Sequence, residues 1–172
     1  MTHSTDILTL TLQPAIDFAR SKHKTDYFDD HVMAVYREVG RHTVDPEVLI
    51  ASVLHDVVED TEVTLEEILF RFGYTVASYV DNVTDEEGYP NRKQKKIHSY
   101  YKIRRHKNSI LIKLCDRLDN LRRCMRDKED RFGIMYVKEH DAFKSALWQP
   151  DMHVELWDEV DSMIEILVKR KR

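Results

Sequence analysis

Residues 45–61 read Asp45-Pro46-Glu47-Val48-Leu49-Ile50-Ala51-Ser52-Val53-Leu54-His55-Asp56-Val57-Val58-Glu59-Asp60-Thr61. The run opens like a helix. Asp45 can cap its first turn, and Pro46 suits the first helical position, where its missing N–H would have no helical partner. From Val48 to Leu54 almost every side chain is small or apolar. This predicts a central helix, packed on most sides and running to about Glu59. Four ionisable residues, His55, Asp56, Glu59 and Asp60, crowd its end. Burying charge without partners is expensive, so these residues need a reason. Adjacent helical residues point about 100° apart, so His55 and Asp56 can both reach one metal ion near the helix end. Glu59 lies one turn beyond His55 and Asp60 one turn beyond Asp56, a second carboxylate layer beside the first. The bland alternative is a helix C-terminus turning into solvent, with His55 capping carbonyls. Three acids at the negative end of a helix dipole fit that alternative poorly.

Helical signals continue on both sides of this run. A first helix is expected from about Asp6 to His23, with a broad apolar face from Ile7 to Ala19. A polar, acidic stretch from Lys24 to Asp30 follows. A second helix begins near His31, carries Val32, Val35, Tyr36 and Val39 as its stripe, and stops at Gly40. Thr64-Leu65-Glu66-Glu67 reads as a capping box, with Gly73 as the stop of that helix. A short helix is expected at Val76 to Val83, then a loop from Asp85 to Asn91 containing Gly88 and Pro90. Arg92 to His106 is basic and weakly amphipathic. Ile110 to Met125 is strongly amphipathic through Leu111, Leu114, Cys115, Leu118 and Leu121. Two last helices, Ile134 to Trp148 and Met152 to Lys169, are divided by Pro150. With only 4 Gly and 4 Pro, the expectation is an all-α fold of about eight helices in a single domain over residues 1–172.

Two further residues join His55 and Asp56 as metal-ligand candidates. His31 opens a helix just after the acidic stretch, and Asp116 lies inside the most amphipathic helix. Their plain alternatives are a helix-start histidine with no partner, and an exposed acid paired with Lys113 or Arg117.

In order, His31 … His55-Asp56 … Asp116 resembles the H…HD…D arrangement of HD-domain phosphohydrolases. The string His55-Asp56-Val57-Val58-Glu59-Asp60-Thr61 resembles, more narrowly, the hydrolase domain of RelA/SpoT homologues, including the stand-alone small alarmone hydrolases. So do Thr64-Leu65-Glu66-Glu67, Phe72-Gly73, Val83-Thr84 and Lys113-Leu114-Cys115-Asp116-Arg117-Leu118-Asp119-Asn120-Leu121. The resemblance covers about Ala15 to Arg123. It implies that His31, His55, Asp56 and Asp116 bind one divalent metal, with Mn²⁺ the usual ion. Mixed imidazole and carboxylate ligands with open positions suit such an octahedral ion. It further implies that Glu59 and Asp60 position a water and shuttle its protons, and that Asn120 reaches the sugar or a phosphate of the substrate. The implied activity is removal of the 3′-pyrophosphate from guanosine tetra- or pentaphosphate, giving GDP or GTP and pyrophosphate.

The chain departs from the family before the first metal histidine. There the family has a longer segment with a Gly-x-Pro-Tyr turn that helps hold the nucleotide. Here the segment from Lys22 to Asp30 is shorter, lacks Gly and Pro, and carries three acids. Tyr27 or Phe28 is then the candidate to stack on a base. Lys22, Lys24, Arg92, Lys93, Lys95, Lys96, Arg104 and Arg105 are the candidates for the remaining phosphates, against the plain reading of a solvated charged face.

The bulk properties are compatible with this reading. The chain has 172 residues, 42% hydrophobic and 34% charged, with 27 basic and 31 acidic residues giving a formal net charge of -4. That balance carries no footprint for nucleic acid. No stretch is long or apolar enough for a membrane span, and Met1 to Leu12 lacks a signal-peptide layout. Cys115 and Cys124 are expected to be reduced thiols, and the compartment to be the cytoplasm. Two rival functions stand beside the alarmone reading. One is an HD phosphohydrolase acting on another nucleotide, a 5′-nucleotidase or dNTP triphosphohydrolase. The other is a binding protein that senses a nucleotide without turning it over.

Overall fold

The structure is a computed structural model. It describes residues 3–128 and 130–170, with side chains for residues 12–128 and 131–170. Among the described residues there are helices and turns and no strand. The chain divides into two compact units, one up to Ser99 and one from Tyr100 onward.

In the first unit the elements are α1 (His3–Lys22), α2 (Thr25–Tyr27), a single π-helical turn (Phe28–Val32), α3 (Met33–Val39), α4 (Pro46–Leu54), α5 (Val57–Asp60), α6 (Leu65–Phe72) and α7 (Tyr74–Val83). Most of α8 (Arg92–Ile103) also belongs to it. The apolar run of the sequence is its centre: α4 packs against α1, α3, α7 and the π turn, and Val48 to Leu54 are all buried. Asp45 caps α4 as expected, accepting from the Glu47 N–H at 3.0 Å. Thr64 caps α6 in the same way, accepting from the Glu67 N–H at 3.3 Å, while the Glu67 carboxylate turns to Arg71 Nε at 2.9 Å. Gly73 ends α6 at φ 87 and ψ 173, a region open to glycine and hardly to any other residue.

Two boundaries differ from the sequence expectation, and both bear on function. The stretch from Lys24 to Asp30, expected as a connection, is helical from Thr25 onward. Thr25–Tyr27 leads into the π turn, so His31 sits inside a wide helical turn and not at a helix start. Such turns insert an extra residue, redirect side chains, and occur often at functional sites. The helix expected to run to Glu59 breaks after Leu54. His55 keeps helical angles, but Asp56 takes φ -103 and ψ -3, and α5 starts afresh at Val57.

In the second unit, α9 (Lys107–Asp127), α10 (Asp130–Leu147) and α11 (Val154–Lys169) pack pairwise against one another. The predicted amphipathic stripe is the buried face of α9, with Leu111, Leu114, Cys115, Leu118 and Leu121 each at most 2% exposed. Phe143 of α10 joins Tyr100 and Trp157, with ring centroids 5.7 and 5.5 Å away. Arg117, 5% exposed, lies 4.5 Å from the Tyr136 ring centroid and 4.4 Å from that of Phe143. Burying a guanidinium against aromatic faces in this way compensates part of its lost hydration.

Candidate metal centre

The break in the central helix and the π turn converge on one cluster in the first unit. His31 is 1% exposed and His55 2%. Their ring centroids are 5.3 Å apart, and a ring nitrogen of each lies within 4.8 Å of the other's. Asp56 Oδ2 sits 3.4 Å from His31 Nε2 and 3.1 Å from His55 Nε2. His55 Nδ1 lies 2.8 Å from the Ser52 carbonyl oxygen, an atom that can only accept. Nδ1 therefore carries a proton, and whenever the ring is neutral Nε2 presents its lone pair toward Asp56 Oδ2. A lone pair and a carboxylate oxygen at 3.1 Å repel unless a proton or a cation lies with them. The donor set and its geometry thus fit a divalent ion at this point.

Charges around Asp56 are tuned accordingly. Burial alone would raise its carboxyl, but when the His55 and His31 rings beside it carry the positive charge of a second proton they hold it well below the usual carboxylate range. The Tyr27 hydroxyl donates to Asp56 Oδ2, and the Tyr27 ring lies 5.4 Å from the His23 ring and 5.2 Å from the His31 ring. Asp60 behaves in the opposite way. Although the residue is exposed, shielding of its carboxyl and then the negative charge of Asp56 push its pKa up. Burial is also the main reason that the His23 pKa is lowered. The Glu59 carboxylate accepts from the backbone N–H of Asp85 at 3.2 Å.

Asp116 and Asn120 belong to the second unit. Asp116 is buried, 6% exposed, so the reading of an exposed surface acid does not hold. Lys113 Nζ lies 2.7 Å from its Oδ2, and Asn120 Nδ2 donates to its Oδ1 at 2.5 Å and to its carbonyl at 3.0 Å. Arg117 turns away, to Glu139 at 3.8 Å. Asn120 also lines a cavity of about 260 Å³ with Arg123, Cys124, Asp127, Phe132 and Tyr136. Burial, and then the charge of Asp116, push the Tyr136 phenol up to about 12. The sequence reading missed this cavity. Its signal was the spacing of Asn120, Arg123, Cys124 and Asp127, which places them on one face of α9.

Several of the expected substrate contacts have partners within the protein. Phe28 is 0% exposed, with the Arg20 guanidinium 5.1 Å from its ring centroid, and has no face to offer a base. Tyr27 places its hydroxyl on Asp56, which makes it a support of that carboxylate. Lys22 is paired with Glu62 at 2.9 Å, Lys95 with Glu87 at 2.6 Å, and Lys96 with Asp85 at 2.6 Å. Acids scattered along the chain take up these cations, which no local pattern foretold. Lys24, Arg92, Lys93, Arg104 and Arg105 are exposed.

Comparison with known proteins agrees with this chemistry. The HD domain family model matches residues 11–135. The guanosine-3′,5′-bis(diphosphate) 3′-pyrophosphohydrolase MESH1 of Xenopus tropicalis is 34% identical over 144 residues, which is 77% of this chain and 80% of that protein. The guanosine-3′,5′-bis(diphosphate) 3′-pyrophosphohydrolase of Aquifex aeolicus is 37% identical over 121 residues, 64% of this chain but 17% of a much longer protein. The solved structure of a metazoan ortholog of SpoT superposes with a TM-score of 0.74 at 24% identity, covering 91% of this chain and 94% of its own, which speaks for the fold. By its sequence match and by its fold, this chain belongs to the HD domain family, in the branch that holds the MESH1 relatives.

Proposed function

We propose that the protein hydrolyses guanosine tetra- and pentaphosphate at the 3′ position, releasing GDP or GTP and intact pyrophosphate. The observation that carries the reading is the convergence of His31, His55 and Asp56 where α4 breaks into the Glu59-Asp60-Thr61 string. The relatives named for this reaction, with most of their length matched, support the substrate.

The ligand set that the family resemblance implies is His31, His55, Asp56 and Asp116, whose mixed nitrogen and oxygen donors would favour Mn²⁺. Such an ion supplies Lewis acidity, lowering the pKa of a water and neutralising phosphoryl charge. The chain's own residues do the rest. The Ser52 carbonyl fixes the His55 tautomer, and the Tyr27 hydroxyl holds Asp56 in register. Lys113 and Asn120 hold Asp116 within its own unit. Asp60, with its raised pKa, takes the proton of the attacking water. Glu59 orients that water. As the new P–O bond forms, the bond from phosphorus to the ribose 3′ oxygen breaks, and that oxygen leaves as a hydroxyl on taking up the proton that Asp60 accepted from the water. Lys24 and Arg104, both exposed, remain for the outer phosphates. Among the described residues no helix is long and apolar enough to cross a membrane. Buried, unbridged Cys115 and Cys124 suit the reducing cytoplasm.

A nucleotide panel with Mn²⁺-loaded protein tests the reading. The expected products from ppGpp are GDP and pyrophosphate. Tripolyphosphate from a dNTP, or single phosphate from a monophosphate, with ppGpp left intact, would overturn the alarmone assignment.

A further inference from the structure

The loop after α7 opens with three acids, Asp85, Glu86 and Glu87, and each meets a cation or a histidine of α8. Glu87 pairs with Lys95 at 2.6 Å, Glu86 with His98 at 3.2 Å, and Asp85 with Lys96 at 2.6 Å. The first two pairs are partly or largely solvent-exposed, and such pairs contribute little. Asp85 is different. Its side chain is 3% exposed, its second carboxylate oxygen lies 2.5 Å from the Ser99 hydroxyl, and Ser99 is itself 1% exposed. A carboxylate buried that deeply keeps one position, because any other position would strand the charge.

A fixed side chain also fixes its own backbone. The Asp85 N–H donates to Glu59 Oε2 at 3.2 Å, across 26 residues of sequence. Thr84, which ends α7 with its hydroxyl on the Val80 carbonyl at 2.8 Å, holds the approach to that amide from the other side. Glu59 stands on a one-turn helix, α5, and its carboxylate meets the Asp85 amide there. We propose that Asp85 is a positioning residue for the hydrolytic reaction: locked by Lys96 and Ser99, it presents its backbone amide to Glu59 and selects the rotamer in which Glu59 orients the water. This rests on the role given to Glu59 above. It also gives a reason for the Lys96 side chain of α8 to pair with the loop at Asp85.

Two measurements test it. The first does not depend on the substrate. In the folded, full-length protein, the Asp85 amide proton should resonate downfield as the donor of a charge-assisted hydrogen bond. Glu59→Gln should move it upfield, and Ser99→Ala or Lys96→Met should move it the same way. An amide indifferent to Ser99→Ala and Lys96→Met overturns the proposal. The second is a kinetic cycle on ppGpp. Asp85→Asn should lower kcat about tenfold with KM unchanged, since misplacing a group that acts on the reacting water costs rate rather than binding. Made on top of Glu59→Gln, it should add less than a further twofold. An equal loss in both backgrounds would mean that Asp85 merely supports the fold, and would sink the idea. Lys96→Arg, which keeps the ion pair, should retain most of the kcat that Lys96→Met loses. A wild-type protein that leaves ppGpp intact refutes the substrate assignment alone, and the amide measurement still decides the clamp.

Discussion

At the scale of single residues, the candidate metal centre is arranged by hydrogen bonds that remove choices. His55 presents Nε2 because Nδ1 is committed to the Ser52 carbonyl 2.8 Å away. Asp56 is held by Tyr27, so the ligand oxygen does not have to be ordered when an ion arrives. This yields a graded prediction. Elemental analysis of protein purified without chelator should find one transition metal per chain, in keeping with one ligand set. His55→Ala or Asp56→Ala should abolish it. Tyr27→Phe, which keeps the ring beside His23 and His31 and loses only the hydroxyl, should still bind. Its affinity should fall by about ten- to a hundredfold, the usual range for a residue that supports a ligand. Full occupancy in His55→Ala would refute the ligand assignment. Unchanged affinity in Tyr27→Phe would refute the supporting role.

At the scale of elements, the candidate site sits where regular helices are interrupted. The π turn brings His31 to the cluster, and the break at Asp56 lets two adjacent residues, His55 and Asp56, meet at one point. Caps around these interruptions fix where the next helix begins. Gly73 joins α6 to α7 at φ 87, and the place a Cβ would take has nothing within 4 Å, so only the backbone would object to a side chain there. Gly73→Ala should therefore destabilise the protein by about 1–3 kcal/mol in urea denaturation, the cost of a non-glycine residue in that region, without changing KM for the nucleotide. A stability equal to that of the parent would mean that the junction relaxes to an ordinary turn.

At the scale of the whole molecule, the two compact units share one family match, residues 11–135, which runs across the division at Ser99 and Tyr100. We therefore expect the two to unfold together as one domain. Scanning calorimetry should show one transition, with calorimetric and van't Hoff enthalpies that agree. Mn²⁺ should move it upward by mass action, by about 2.7 kcal/mol at a hundred times its dissociation constant. In His55→Ala the transition should stay single and cease to respond to the ion. Two separated transitions would mean that the units fold as independent domains.

The sequence by itself determined whatever depends on neighbours along the chain. Apolar spacing and the scarcity of Gly and Pro made the all-α fold legible. Asp45, Thr64 and Gly73 marked helix ends through contacts two to four residues long. The order of His31, His55-Asp56 and Asp116 marked the candidate ligands, because ligand types are few and their residues are written plainly. Tertiary structure alone decided how those residues are held. Tyr27 reaches Asp56 across 29 residues, Glu59 meets Asp85 across 26, and Lys22 finds Glu62 across 40. None of these pairings leaves a trace in local periodicity. The π turn and the break at Asp56 were equally hidden, since the same apolar residues can continue a helix or interrupt it. A helix is set by bonds four residues apart, which the local pattern encodes, whereas the partner of a side chain is set by whatever the packed core brings beside it.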